Sequence, residues 1–384
     1  MKKLVMLRAP LLSNSGYGTH ARQIFRWLET KNVEVVSDIL NWGATSWFIN
    51  KDLENGLIGR IIDSARQPNR NPDVMLSLQL PNEWKRLQGT KCVGMSAIVE
   101  TDRCNPNWIK ACEEMDRVIV PSSFCKKLIT DNSTSADVRV VPESFHDEII
   151  NADCLQLPEI QTKKNFLLVG QLSGMSPDLD RKNIFYSVKW FCEEFKDNPD
   201  VGLIIKTNLG TNSTFGRKNL NSIFTNLLNE VRKGSKFPRV YLLNGEMTTK
   251  EISSLYRSPK VTALLSLTRG EGYGLPILEA AASDLPVICT NWSGHLDFMK
   301  KGKFIGVDYD LVEVPNEKID NEIFVKGSKW AMPREADAKK KMRKFISSPD
   351  LPSNWASDLG KKLRKEFSLE AVYEAYDKEL GDLL

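Results

Sequence analysis

The sequence is short of the residues that most often do chemistry alone. Only three histidines occur in 384 residues, and a single histidine is more often structural than catalytic. The seven cysteines are odd in number and none pairs as C-x-x-C, so neither a zinc pattern nor a disulfide framework is indicated. They are expected as small buried hydrophobes in a reducing compartment. No apolar run approaches the length that crosses a bilayer. Leu4–Leu7 is apolar but stops at Arg8, far short of a secretory core, so a soluble, cytoplasmic protein is expected. Net charge is a weak +4, and residues 1–160 hold 19 basic against 20 acidic side chains. That half lacks the basic excess of a duplex-DNA binder, which disfavours a nucleic-acid partner. There is no short internal repeat and no low-complexity tract.

What is present is the balance of a globular chain, 41% hydrophobic and 27% charged, long enough for two domains. Short β-type runs bounded by Gly, Pro, Asn or Asp recur at residues 4–7, 33–36, 74–78, 92–95 and 118–120. A glycine-rich turn, Ser13–Gly18, and a helical pattern through Ala21, Ile24, Phe25 and Leu28 follow the first run. After the polar stretch 156–165 a second set begins: strands at 166–170, 201–206, 240–243, 261–267 and 287–289, with a helix over 184–195. Strands alternating with helices predict two doubly wound α/β domains with parallel sheets. The expected division is 1–158 with the terminal helix 366–384, against 159–365.

One segment stands out. Thr268–Ala280 follows the strand 261–267 and opens an apolar helix, with glycines at 270, 272 and 274 and carboxylates at Glu271 and Glu279. Glycines let a backbone approach a ligand closely, and Pro276 suits a first helical turn. A helix start of this kind favours an anion. Glu279, one turn inside, is within reach of a ribose, and Glu271 in the loop can grip sugar hydroxyls. An ordinary glycine-rich turn with two solvated glutamates is the bland alternative. The coincidence of glycines, carboxylates and strand–loop–helix context favours a nucleotide site.

Glu271 through Glu279 matches the E-x7-E motif, and the sequence resembles the retaining family-four glycosyltransferases of the GT-B fold. Arg117–Phe124, Val140–Phe145 and Phe367–Tyr376 resemble further segments of that family, so the likeness runs along nearly the whole chain. It implies two Rossmann-like domains facing a central cleft, with a C-terminal helix crossing back to the N-domain. It also implies a metal-independent hexosyltransferase that moves a sugar from a nucleotide-diphosphate donor to a hydroxyl. The donor is a substrate, and neither cofactor nor metal is expected.

The resemblance also distributes roles. The backbone of Gly272, Tyr273, Gly274 and Leu275 would cradle the diphosphate, Glu279 would take the ribose, and Glu271 would orient the sugar. The family's Gly-Arg after the first C-domain strand is here Gly170-Gln171, so one cation is missing. Lys182 matches the family's second cation, neighbouring Arg181 is expected to compensate, and Lys206 is a weaker phosphate candidate. Gly16 and Gly18 match the N-domain loop over the leaving phosphate. Glu100 or Asp102 stands where relatives often carry a histidine. His20 is expected at the cleft, His295 after a C-domain strand, and His146 in the linker. Asp178-Leu179-Asp180 has a metal-binding D-x-D form but reads better as an acid cluster at a helix start.

The acceptor is not legible. A glycan or glycolipid is the default, and a modified nucleobase is disfavoured by charge. The aromatics Trp42, Trp47 and Phe48 suit stacking on a sugar or base, or burial in the core. A degenerate sugar-nucleotide or glycan binder, or another GT-B enzyme such as an epimerase, is the rival reading. Sugar, nucleotide and oligomeric state stay open.

Overall fold

The computed structural model describes residues 2–210 and 213–384. The chain packs as two compact units. The first comprises residues 1–144, 320–325 and 369–384, and the second residues 145–319 and 326–368.

The N-terminal unit is built on strands β1 (Lys3–Ala9), β2 (Val33–Ile39), β3 (Val74–Leu78), β4 (Lys91–Met95), β5 (Arg117–Val120) and β6 (Val138–Val140). They form one parallel sheet in the order β2-β1-β3-β4-β5-β6. The central strand β3 is buried at all five positions, as expected for a sheet covered on both faces. The helix Gly16–Glu29 begins at Ser15, whose side chain accepts from the Gly18 amide, a serine N-cap. Gly18 is needed there, because a Cβ would lie 2.0 Å from the Ser13 carbonyl oxygen.

The terminal helix Leu369–Leu380 belongs to this unit. Val372, Tyr376 and Leu380 are fully buried in the core with Trp27 and Leu28. Its polar anchors are specific: Trp27 Nε1 donates to Asp377 at 2.8 Å, and the Tyr376 hydroxyl lies 2.7 Å from His20 Nε2. His20 is therefore a buried tie to the last helix, not the cleft residue expected from its place after the glycine loop. Burial lowers its pKa to about 3, so it sits there as the neutral ring.

The second unit repeats the architecture with β7 (Lys164–Val169), β8 (Val201–Thr207), β9 (Arg239–Asn244), β10 (Ala263–Ser266), β11 (Val287–Thr290) and β12 (Ile305–Val307). Their parallel order is β12-β11-β10-β7-β8-β9. An antiparallel hairpin, β13 (Tyr309–Glu313) with β14 (Lys329–Pro333), is added beyond the sheet. Successive connections leave β7 toward β8 on one side and return to β10 on the other, so β7 and β10 flank the point where strand order reverses. In open α/β sheets ligands bind outside the carboxyl ends of such a pair.

Candidate active site

The loops that leave β7 and β10 carry the charged residues of the sequence motif. After β7, the chain makes a polar loop and enters the helix Ile184–Glu194. Asp180, fully buried, organises that entry. One carboxylate oxygen accepts from the Ser173 and Lys182 amides and the Ser173 hydroxyl, and the other from the Ile184 amide at 2.6 Å. Asn183 follows in a left-handed conformation and donates its side-chain amide to the Leu267 carbonyl. Asp180 is thus the helix-start acid anticipated from sequence, and Asp178 instead accepts from the Tyr186 hydroxyl. The two acids of the D-x-D face different partners.

This entry aims Arg181 and Lys182 at the loop after β10. Lys182 Nζ lies 2.7 and 2.8 Å from the two carboxylate oxygens of Glu271. Arg181 Nη1 lies 3.4 Å from Glu271 Oε2 and donates to the Gly270 carbonyl. Glu271 is only 7% exposed. Burial by itself would raise its pKa, but Lys182 and Arg181 outweigh that and hold it at about 2. Two cations converge on one carboxylate in a largely dry setting, leaving one positive charge in excess.

The Glu271 amide donates to Ser293 Oγ, and the Gly294 amide donates back to the Glu271 carbonyl, so the loop after β11 buttresses the loop after β10. His295 sits beneath it, fully buried, with Nε2 2.8 Å from the Thr290 carbonyl. Burial lowers its pKa. Gly274 ends the loop at φ +100, and a Cβ there would lie 3.1 Å from the His295 Cβ. It also begins the helix Leu275–Ala282, with Pro276 in the first turn and no side-chain cap. That helix start keeps the character of an anion site. Tyr273 points inward, its ring 5.3 Å from Phe298, so any ligand contact here is through backbone.

Glu279 lies on the next turn, 6% exposed. Tyr256 donates its hydroxyl to one carboxylate oxygen at 3.1 Å, and His146 Nε2 lies 3.3 Å from the other. Burial pushes its pKa up to about 8, with the Tyr256 hydrogen bond opposing and Glu148 adding to the rise. The two glutamates of one motif therefore sit in opposite electrostatic settings. His146, read from sequence as a linker residue, is brought against Glu279. Its place in the segment after Ser144 gave no signal of this, because the contact spans most of the unit.

Lys206 donates to the Gly245 carbonyl at 2.7 Å, with its pKa lowered by burial. Gly16, Gly18 and Glu100 lie in the N-terminal unit, the glycines at the start of the first helix and Glu100 in the segment after β4. Arg269 was not singled out from sequence. Its guanidinium packs over Trp330 of β14 and donates to the Pro177 carbonyl, and the Ala331 amide donates to its own carbonyl. With Lys318 Nζ donating to the Ser173 carbonyl, the hairpin segment pins the loop that presents Arg181 and Lys182. Among the described residues no group of three or more His, Cys, Asp or Glu gathers as metal ligands. No described helix is long and apolar enough to cross a membrane.

Comparison with known proteins bears on this geometry. No curated protein matches the sequence. Among solved structures, a sucrose-phosphate synthase from Thermosynechococcus elongatus is 12% identical, with a TM-score of 0.65 over 100% of this chain and 99% of that one. A glycosyltransferase from Rickettsia africae is 14% identical, with a TM-score of 0.64 over 100% and 98%. An E. coli trehalose-6-phosphate protein bound with UDP-2-fluoro glucose is 10% identical, with a TM-score of 0.64 over 100% and 99%. At these identities the likeness establishes the fold, and that fold is GT-B. Residues 238–358 match the family described as glycosyl transferases group 1, a span that includes both motif glutamates.

Proposed function

We propose that the protein is a retaining glycosyltransferase that takes a hexose from a nucleotide-diphosphate sugar bound on the second unit. The observation that carries this reading is the convergence of Lys182 and Arg181 on Glu271 at the β7/β10 switch point, beside an uncapped helix start. In the free protein Glu271 neutralises one of the two cations. A diphosphate would draw Lys182 and Arg181 to itself, and they would stabilise the negative charge that grows as the nucleotide leaves. Arg181 thereby takes over the work of the cation missing at Gln171. Glu271, released from the ion pair, is placed to accept from hydroxyls of the transferred sugar. Glu279 would accept from the ribose hydroxyls, with Tyr256 and His146 orienting its carboxyl group.

Departure of the nucleotide leaves an oxocarbenium-like centre, which an acceptor hydroxyl attacks on the face just vacated. The departing phosphate oxygen takes the hydroxyl proton, so configuration is retained without a protein nucleophile. Fixed cations replace a divalent ion in this scheme. Gly16 and Gly18 would approach the leaving phosphate, Glu100 would face the donor sugar, and a glycan or glycolipid would accept it. The test is a transfer assay over a panel of nucleotide-diphosphate sugars, with and without magnesium, with the anomeric configuration of the product read by NMR. Metal-independent transfer with retention supports the reading. Transfer with inversion, or donor binding without transfer to any acceptor, would count against it.

A further inference from the structure

The N-terminal unit has its own unusual loop, and nothing in the donor chemistry uses it. No charged residue occurs between Asp38 and Lys51, in a chain where 27% of residues are charged. The same stretch holds Trp42, Trp47 and Phe48. It follows β2 and is fastened to the glycine loop after β1: the Asn14 amide donates to the Ser46 carbonyl at 2.9 Å, and the Phe48 amide to the Leu12 carbonyl at 2.8 Å. Ser13 and Trp47 form a β-bridge, and the Ser13 and Thr45 hydroxyls are 2.7 Å apart. The Trp42 ring stacks on Tyr17, centroids 4.1 Å apart at 25°. Tyr17 is itself fixed, its hydroxyl 3.0 Å from both Ser96 Oγ and the Ala97 amide. Phe48 is occupied beneath, packed on the Arg22 guanidinium.

The loop's apolar surface is nonetheless open. Trp47 is 38% exposed and Ile49 77% exposed, and they are the exposed large hydrophobics among the described residues of this unit. Exposed aromatic surface on a rigid mount, away from the core, marks a binding face.

We infer that this loop is a stacking platform for an uncharged sugar ring of the acceptor, with Trp47 and the Tyr17-backed Trp42 as the stacking surfaces; the inference rests on the proposed transfer to a glycan hydroxyl. The chemistry around the rings selects that occupant. The exposed polar side chains within the loop, Asn41 and Asn50, are neutral, which suits sugar hydroxyls. The nearest cations are committed to carboxylates: Lys51 to Asp63, Arg22 to Glu54 and Arg8 to Asp38. A nucleic-acid strand or an anionic membrane would call for uncommitted cations. A flat, neutral, hydroxyl-bearing ring needs none.

The test is saturation-transfer NMR of the full chain with maltose, cellobiose, lactose and chitobiose, comparing wild type with Trp47→Ala, Trp42→Ala and Trp47→Tyr. A parallel thermal-shift measurement with UDP-glucose and the other nucleotide sugars reports on the second unit. We expect saturation transfer to at least one disaccharide in wild type. It should weaken about tenfold or more in the alanine variants and recover in Trp47→Tyr, while donor shifts stay unchanged. Disaccharide signals that persist in both alanine variants would overturn the inference, as would silence across the panel in folded protein. Trp47-dependent partition onto phosphatidylcholine vesicles without disaccharide contact would assign the loop to lipid and overturn it as well. Absence of any donor shift with sugar contact intact would reject the donor reading instead, so the two failures are distinguishable.

Discussion

Both units carry a six-stranded parallel sheet, and each places a glycine-rich loop just after a strand beside its switch point. What surrounds those loops differs. In the second unit, Arg181 and Lys182 each come within 3.4 Å of a Glu271 carboxylate oxygen. In the first, the loop after β1 is covered by twelve residues without a charge, 39–50, and by aromatic rings. The same scaffold thus carries clustered cations around the loop of one unit and uncharged, aromatic residues around that of the other. Fold alone does not decide such a division; the residues at the strand ends do.

Neutralising Lys182 breaks this comparison most severely. Lys182→Ala removes the stronger of Glu271's two ion pairs and one of the two cations proposed for the diphosphate. Transfer, measured as kcat/KM for the donor, should fall by about 10²–10³-fold. Arg181→Ala should fall less, and the double variant should approach inactivity.

Next in size is Glu279→Ala, expected to weaken nucleotide-diphosphate binding by about tenfold or more in calorimetry. His146→Ala should do the same to a smaller degree, and His146→Ala should add little in the Glu279→Ala background if the imidazole acts through that carboxyl group. Additive losses would show that His146 contributes independently.

A third test is of backbone. Gly274→Ala places a Cβ at φ +100 against His295, which should lower stability by roughly 1–3 kcal/mol and be read as a fall in Tm. Gly16→Ala, where a Cβ meets nothing within 4 Å, should leave Tm nearly unchanged.

The two glutamates sharpen the comparison through pH. Glu271 is depressed in the fold, from 4.5 to about 2. Its stabilising contribution is therefore present above pH 4.5 and lost as pH falls toward 2. Glu279 is raised, from 4.5 to about 8. The fold favours its neutral form, so stability is fullest below pH 4.5 and declines as pH rises toward 8. Chemical denaturation across pH should show the loss below pH 4.5 flattened in Glu271→Gln, and the decline between pH 4.5 and about 8 flattened in Glu279→Gln. Interchanged windows would contradict the described environments.

Much of this was legible in the sequence for a physical reason. Buried parallel strands are continuous apolar runs, so Val74–Leu78 and Val201–Thr207 announce themselves, as does the terminal helix Leu369–Leu380. β6 did not, because three residues with Arg139 in the middle carry no apolar period. The hairpin β13/β14 did not, because β13 mixes charged and apolar positions on a largely exposed strand and β14 is only five residues long. Within the candidate site, the E-x7-E spacing and the Arg181-Lys182 pair are local and could be read. Their meeting at Glu271, and the approach of His146 and Tyr256 to Glu279, are products of chain crossing that no local pattern encodes. His20 illustrates the reverse case: its position after the glycine loop suggested a place at the cleft, but the helix turns it inward onto Tyr376.

The central claim is that the charged switch point of the second unit holds a nucleotide-diphosphate sugar. The most direct measurement is a thermal-shift titration of the purified protein against a panel of such sugars, without and with magnesium, repeated for Lys182→Ala and Glu279→Ala. Binding to the folded state must raise Tm with ligand concentration. The account predicts a selective shift for at least one donor, independent of magnesium and lost or strongly reduced in both variants. No shift with any donor, or a shift that survives in both variants, would contradict it.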